Sequence, residues 1–224
     1  MATLTVYPDA GTGGTTMDAL LQYLNGSGED WATIRTQTNG TTASATVVNS
    51  FFGRIRTDGN TDKFDIILRG IFLFDTSSLG GDALLSTVTL SLYGTAKIET
   101  LTGNNDLDIG SSSPASDNNV VAGDYSQIAR TSFGSIAYAS YSTSAYNDIT
   151  LNANGISNID KTGISKFSTQ IESDMNNTEP TWVAGNEAMG YSGYYADQSG
   201  TTQDPKLTIT YIVPSTFKPK VIMF

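Results

Sequence analysis

The chain has 224 residues and contains neither cysteine nor histidine. Without cysteine there is no disulfide staple, no thiol nucleophile and no thiolate to hold zinc or an iron–sulfur cluster. Without histidine there is no Ser-His-Asp triad, no His-ligated zinc or haem, and no imidazole acid/base step. Positive charge is scarce as well. Twelve Lys and Arg face 22 Asp and Glu, for a net charge of −10. A surface this acidic repels phosphate backbones and anionic lipid, so neither a nucleic-acid nor a membrane partner is expected. No apolar run approaches the roughly 20 residues that cross a bilayer as a helix. The segment Met1-Ala2-Thr3-Leu4-Thr5-Val6-Tyr7 has no basic or long apolar stretch and reads as a strand rather than a secretory signal.

What the chain has in abundance is Thr, Gly, Ser and Asn, at 31, 22, 24 and 15 residues. These types favour strands, turns and polar loops over helices. Asn25-Gly26-Ser27, Asn39-Gly40-Thr41 and Asn176-Asn177-Thr178 match the glycosylation acceptor pattern, which in so Asn- and Ser/Thr-rich a chain reads as chance. The strongest segment is Phe64 to Asp75, apolar enough for a central strand, with a kink expected at Gly70. In Leu84 to Tyr93 the residues Val88, Leu90 and Leu92 alternate with Thr87, Thr89 and Ser91, the period of a half-buried strand. Further strands are expected at Thr3–Tyr7, Trp31–Arg35, Ala43–Val48, around Leu107 and Ile109, at Ser135–Tyr141, Asn147–Leu151, Trp182–Ala184, Ala188–Tyr191 and Lys206–Val213.

Two short helices are expected. Met17, Leu20, Leu21 and Leu24 fall at i, i+3, i+4 and i+7 behind Thr15 or Thr16 as a cap. Ile164, Phe167, Ile171 and Met175 repeat a helical spacing over Gly163 to Met175. Many short strands between turn signals predict an all-β jelly-roll β-sandwich. One domain is expected over residues 1–213, with 214–224 as an appended C-terminal tail.

Phe72-Leu73-Phe74-Asp75-Thr76-Ser77-Ser78-Leu79, followed by Leu85 to Tyr93, resembles the core of the disaggregatase-related (DNRLRE-type) family. Asp204-Pro205-Lys206-Leu207-Thr208-Ile209-Thr210-Tyr211 resembles that family's last strand, and Asn158 to Phe167 resembles a segment of relatives found among phage and environmental sequences. The resemblance covers about Phe64 to Tyr211 and implies a jelly roll related to carbohydrate-binding modules. It implies no catalytic residues, because the matched positions are core and turn. Asp9 to Gly59 departs from the family pattern and reads as an elaboration.

Four groups of residues are candidates for chemistry. Asp106 and Asp108 form an Asp-x-Asp pair and Asp9 precedes a Gly-rich turn; both invite a Ca²⁺ reading, against a solvated strand edge and a plain turn. The strand-edge reading is preferred, and no metal or cofactor is expected. Paired carboxylates alone can hydrolyse glycosides, yet no pair stands out among the acidic residues and no catalysis is expected. Trp182, Tyr191, Tyr194 and Tyr195 make an aromatic-rich segment that either stacks on sugar rings or packs into the core. Finally Phe217, Val221, Ile222, Met223 and Phe224 make an apolar tail suited to a protein contact.

Together these features predict a binding protein. The first expectation is a tailed-phage virion component, such as a capsid decoration, head-fibre or tail-associated protein. Its partners would be capsid or tail proteins, copies of itself in a homo-oligomer, and host-surface glycan. The alternative is an extracellular carbohydrate-binding module.

Overall fold

The computed structural model describes residues 1–59 and 62–214. Twelve strands cover somewhat less than half of that span. They are β1 (Ala2–Val6), β2 (Asp18–Glu29), β3 (Thr42–Ser44), β4 (Asn49–Thr57), β5 (Phe64–Asp75) and β6 (Leu84–Glu99), then β7 (Leu107–Ser111), β8 (Gly134–Ile136), β9 (Tyr146–Thr150), β10 (Ile164–Ile171), β11 (Ala188–Tyr194) and β12 (Lys206–Ile212). Helical structure is brief: α1 (Trp31–Arg35), α2 (Ala153–Ser157) and α3 (Glu172–Asn176) have five residues each. All strand pairs are antiparallel, in the order β1-β12-β6-β11-β4-β5-β10-β7-β8, with β9 also on β6, β2 on β5 and β3 on β2. The sheet curls until β8 lies against β9, so the chain folds as the all-β sandwich expected of a jelly roll.

Two long strands change partners along their length, and β6 thereby serves both layers. β6 pairs with β12 and β9 up to Tyr93, then with β11 from Gly94 onward. β5 pairs with β4 as far as Arg69 and with β10 from Gly70. The kink expected at Gly70 therefore marks a change of partner. A side chain there would collide with Thr169 Oγ1 and come within 2.8 Å of Phe72. Glycine lets the strand bend while its neighbours close over it.

The core lies between the layers. Along β6, Val88, Leu90 and Leu92 are fully buried, as the alternation predicts. β5 is buried throughout except at Asp75, because both its edges are paired and both its faces covered.

The same double burial explains the two misread helices. Met17 to Leu24 lies largely in β2, where Asp18 to Leu21 are buried on both faces between β5 and β3. Its apolar residues are continuous rather than alternating, and a continuous run fits a helical template by coincidence. Thr15 and Thr16 bond Asp9 instead of capping a helix. Gly163 to Met175 is β10, paired to β5 and β7, and only its end turns into α3. Conversely, Trp31–Arg35 is helical: Trp31 and Ile34, three apart, both press on the core. Trp182–Ala184 forms no strand, and the nearest ladder contact is a single bridge from Thr181 to Thr102. The tail residues Phe217, Val221, Ile222, Met223 and Phe224 lie outside the described residues.

Candidate binding surface

Alternation along β1, β12, β6 and β9 turns a threonine-rich face outward. Thr5, Thr208, Thr89 and Thr150 form one row across these four strands. Threonine suits that place because its branched Cβ packs on a pleated surface while its hydroxyl meets water. Along the strands this face ends in aromatics. Tyr93 lies directly across from Tyr146, with ring centroids 5.4 Å apart. Tyr194, leaving β11, brings its ring to 5.9 Å from Tyr93. Lys206 Nζ sits 3.8 Å from the Tyr146 ring centroid. All three tyrosines are half-buried, with rings partly open to solvent.

Two hydroxyls fix this row. Tyr93 donates to Ser144 O at 2.7 Å, and Tyr146 donates to Asp204 O at 2.9 Å and Thr202 O at 3.1 Å. Burial, followed by nearby Tyr7 and Asp204, pushes the Tyr146 hydroxyl up to about 12, so it remains a donor at ordinary pH.

Next to Tyr146 a pocket of about 440 Å³ opens between the end of β1 and the β11–β12 loop, lined by Tyr7, Asp9, Gln198, Thr201 and Asp204. Gln198 donates to Asp204 at 2.6 Å. Asp9 holds the following turn shut by accepting from Thr15 N at 2.7 Å and Thr16 N at 3.1 Å. Its hydrogen-bonding work is that of a turn anchor.

Two more carboxylates belong to the same region. Asp18 is wholly buried; its Oδ2 accepts from Ala196 N at 2.8 Å and its Oδ1 has no hydrogen-bond partner among the described residues. Burial, then the charges of Asp197 and Asp204, hold its pKa well above the usual carboxylate range. Burial also raises Asp197 and Asp204. The folded chain thus keeps a proton on Asp18 that the unfolded chain has lost. That contribution is fully present below about pH 3.9 and is lost as pH rises through the higher folded pKa. Asp18→Asn keeps an acceptor for Ala196 N and offers an amide to the neighbouring carboxylates. It is expected to stabilise the protein near pH 8 by about 1–3 kcal/mol and to flatten the decline. Melting scans from about pH 5 to about pH 8 read this, and equal slopes for both proteins would count against it.

The four aromatics singled out in the sequence separate. Tyr191 and Tyr195 are fully buried. Tyr191 donates to Asn105 O and packs edge-on to Tyr141 at 4.7 Å, while Tyr195 stacks on Phe72 at 5.6 Å and donates to Phe51 O at 2.8 Å. They are core, and no ligand reaches them. Trp182 belongs to the loop at the opposite end of β11 from Tyr194. Of the four, Tyr194 alone joins the exposed row. Irregular pairing between Tyr191 and Gly193 sets Tyr194 and Tyr195 apart from simple alternation. Of the other members, Tyr93 ends the alternating strand expected from Leu84, and Tyr146 lies one residue before the strand expected at Asn147–Leu151.

The calcium candidates do not assemble a cation cage. Asp108 is buried, accepts from the Ser132 hydroxyl, and is pushed by burial up to about 6. Among the described residues no group of three or more acidic side chains is placed to hold a metal ion.

The largest buried polar centre lies elsewhere. Arg69 in β5 is completely enclosed and grips Asp174 of α3 through both carboxylate oxygens, at 2.7 and 3.0 Å. It also donates to Tyr125 O and Arg35 O, and its guanidinium lies 4.2 Å from the Tyr125 ring centroid. Arg130 and Arg35 reach Asp174 from the solvent side. Arg69 spends its bonds on Asp174 and two main-chain carbonyls, and Asp174 is held by three arginine side chains, which marks this centre as structural.

A scan against protein-family models and a search of curated proteins find no match to this chain.

Proposed function

We propose that this protein works by binding rather than catalysis, and that its ligand is a glycan laid across Tyr194, Tyr93 and Tyr146. The observation that carries the reading is the half-open tyrosine row beside a polar pocket. Aromatic faces gather the C–H faces of sugar rings by dispersion, while hydroxyl, amide and carboxyl groups at the pocket match sugar hydroxyls. The fixed tyrosine hydroxyls limit the rotamer entropy lost on binding.

Affinity electrophoresis through a panel of neutral and acidic polysaccharides tests it. Retardation by at least one polymer is expected, and Tyr194→Ala or Tyr93→Ala should weaken it about tenfold, the equivalent of about 1.4 kcal/mol. Retention untouched by either change would sink the reading. Release of reducing ends by the purified protein would show catalysis instead.

A tailed-phage virion component is the second reading. What favours it is an apolar end that no described residue covers, where Met1, Leu84, Ile212 and Val213 are 93, 60, 45 and 59% exposed. Such a surface suits assembly. The two readings combine in a virion protein that also holds host glycan, whereas the extracellular module needs only the tyrosine surface.

A further inference from the structure

That apolar end has an internal order. Leu84 and Ile212 are paired residues of β6 and β12, and Ala2 pairs with Tyr211, so Met1, Leu84, Ile212 and Val213 come together at one end of the first layer. Beside them opens a groove of about 300 Å³ whose lining includes Ala83, Leu84, Leu85, Ile156, Ile159 and Lys161. Lys161 Nζ donates to Ala83 O at 3.0 Å and closes one side. Exposed Asp82 and Asp160 stand next to these lining residues in the chain.

The last described residues, Val213 and Pro214, leave from this same end. Beyond them come Ser215-Thr216-Phe217-Lys218-Pro219-Lys220-Val221-Ile222-Met223-Phe224. This segment carries an apolar tetrapeptide and two of the chain's twelve positive charges. Apolar side chains match the groove, and Lys218 and Lys220 match Asp82 and Asp160. Fully extended, ten residues span at most about 35 Å.

We infer that the groove receives the tail of a second copy of this chain. Two observations favour a second copy over the chain's own tail. Exit and groove share one end, so a two-fold axis through that end sets each tail's origin near the other copy's groove. The contact is then isologous and closes as a dimer. Among the described residues β1 pairs with β12 alone, so the same end also borders an open edge, and Ala2 to Val6 has no charge or proline to guard it. This inference is independent of the glycan reading.

The absence of native cysteine makes the test clean. Leu84→Cys protein and Met223→Cys protein are mixed and mildly oxidised, so that a bond between the two positions can form only between chains. A disulfide-linked heterodimer is expected at about tenfold the yield of a control mixture of Thr38→Cys and Met223→Cys, reflecting the effective concentration of a docked tail. Light scattering should give a dimer for the unaltered chain and a monomer for Leu84→Asp and for Val221→Asp. Leu84 is 60% exposed, so its change does not threaten folding. A Leu84→Cys/Met223→Cys double variant that closes only on itself would assign the tail to its own groove and overturn the inference. So would a mixture that cross-links no better than the control.

Discussion

Asp174→Ala is expected to cost about 3–5 kcal/mol of folding stability, the loss typical of breaking a buried ion pair. Arg69 would be left enclosed, with its charge facing no carboxylate. Burial opposes the charge of Asp174, yet Arg69 and then Arg130 hold its carboxyl below the usual range. The stabilising contribution is therefore present above the unfolded pKa of about 3.9 and is lost as pH falls through the lower folded value. Urea titrations at neutral and acidic pH should show the penalty of Asp174→Ala at neutral pH and its shrinkage in acid. The double change Arg69→Met/Asp174→Leu should recover much of the loss, because it removes both charges and keeps the volume. If Asp174→Ala shifted the urea midpoint no more than an exposed Asp148→Ala, the centre would contribute little to stability.

Gly94→Val is the second large effect. Gly94 is where β6 leaves β12 and β9 for β11. A Cβ there would collide with Ser142 O and come within 2.7 Å of Tyr141 and 2.8 Å of Asn147 Nδ2. Ser142 O accepts from Asn147, whose side chain also bonds Leu92 O and Ser142 N, so the obstructing backbone is pinned. The cost should reach or exceed the upper end of the about 1–3 kcal/mol range for overpacking. Gly26→Ala, which meets nothing within 4 Å, is the control and should stay within about 0.5 kcal/mol. The two midpoints in one urea series decide the matter, and equal shifts would refute the crossing-point argument.

Both predictions rest on places where distant segments meet, and those are the places least legible in the sequence. β6 and β12 could be read because one face of each is buried and the other is more open, with Ser91 the covered exception. Val88, Leu90 and Leu92 alternate with Thr87, Thr89 and Ser91, and a period of two has one interpretation. β2 and β10 could not, because strands covered on both faces lose the alternation. Asp18 to Leu21 and Phe167 to Ile171 are buried without a break. The tyrosine row was legible only at Tyr194. Tyr93 and Tyr146 are 53 residues apart in number, and only the β6–β9 register brings them together.

Composition and period alone determined the class of this protein. Without cysteine and histidine, and with abundant threonine, glycine and serine, the chain was bound to be a β-structure with a narrow choice of chemistry. The alternating strands fixed which side chains face inward along β6 and β12. Tertiary structure decided the rest. It buried Tyr191 and Tyr195, left Tyr194 beside Tyr93 and Tyr146, and matched Arg69 to Asp174 across 105 positions of chain. The physical reason is that alternation records only whether a residue is covered. Which residue covers it depends on strand register and on where β5 and β6 change partners, and these are properties of the closed sheet.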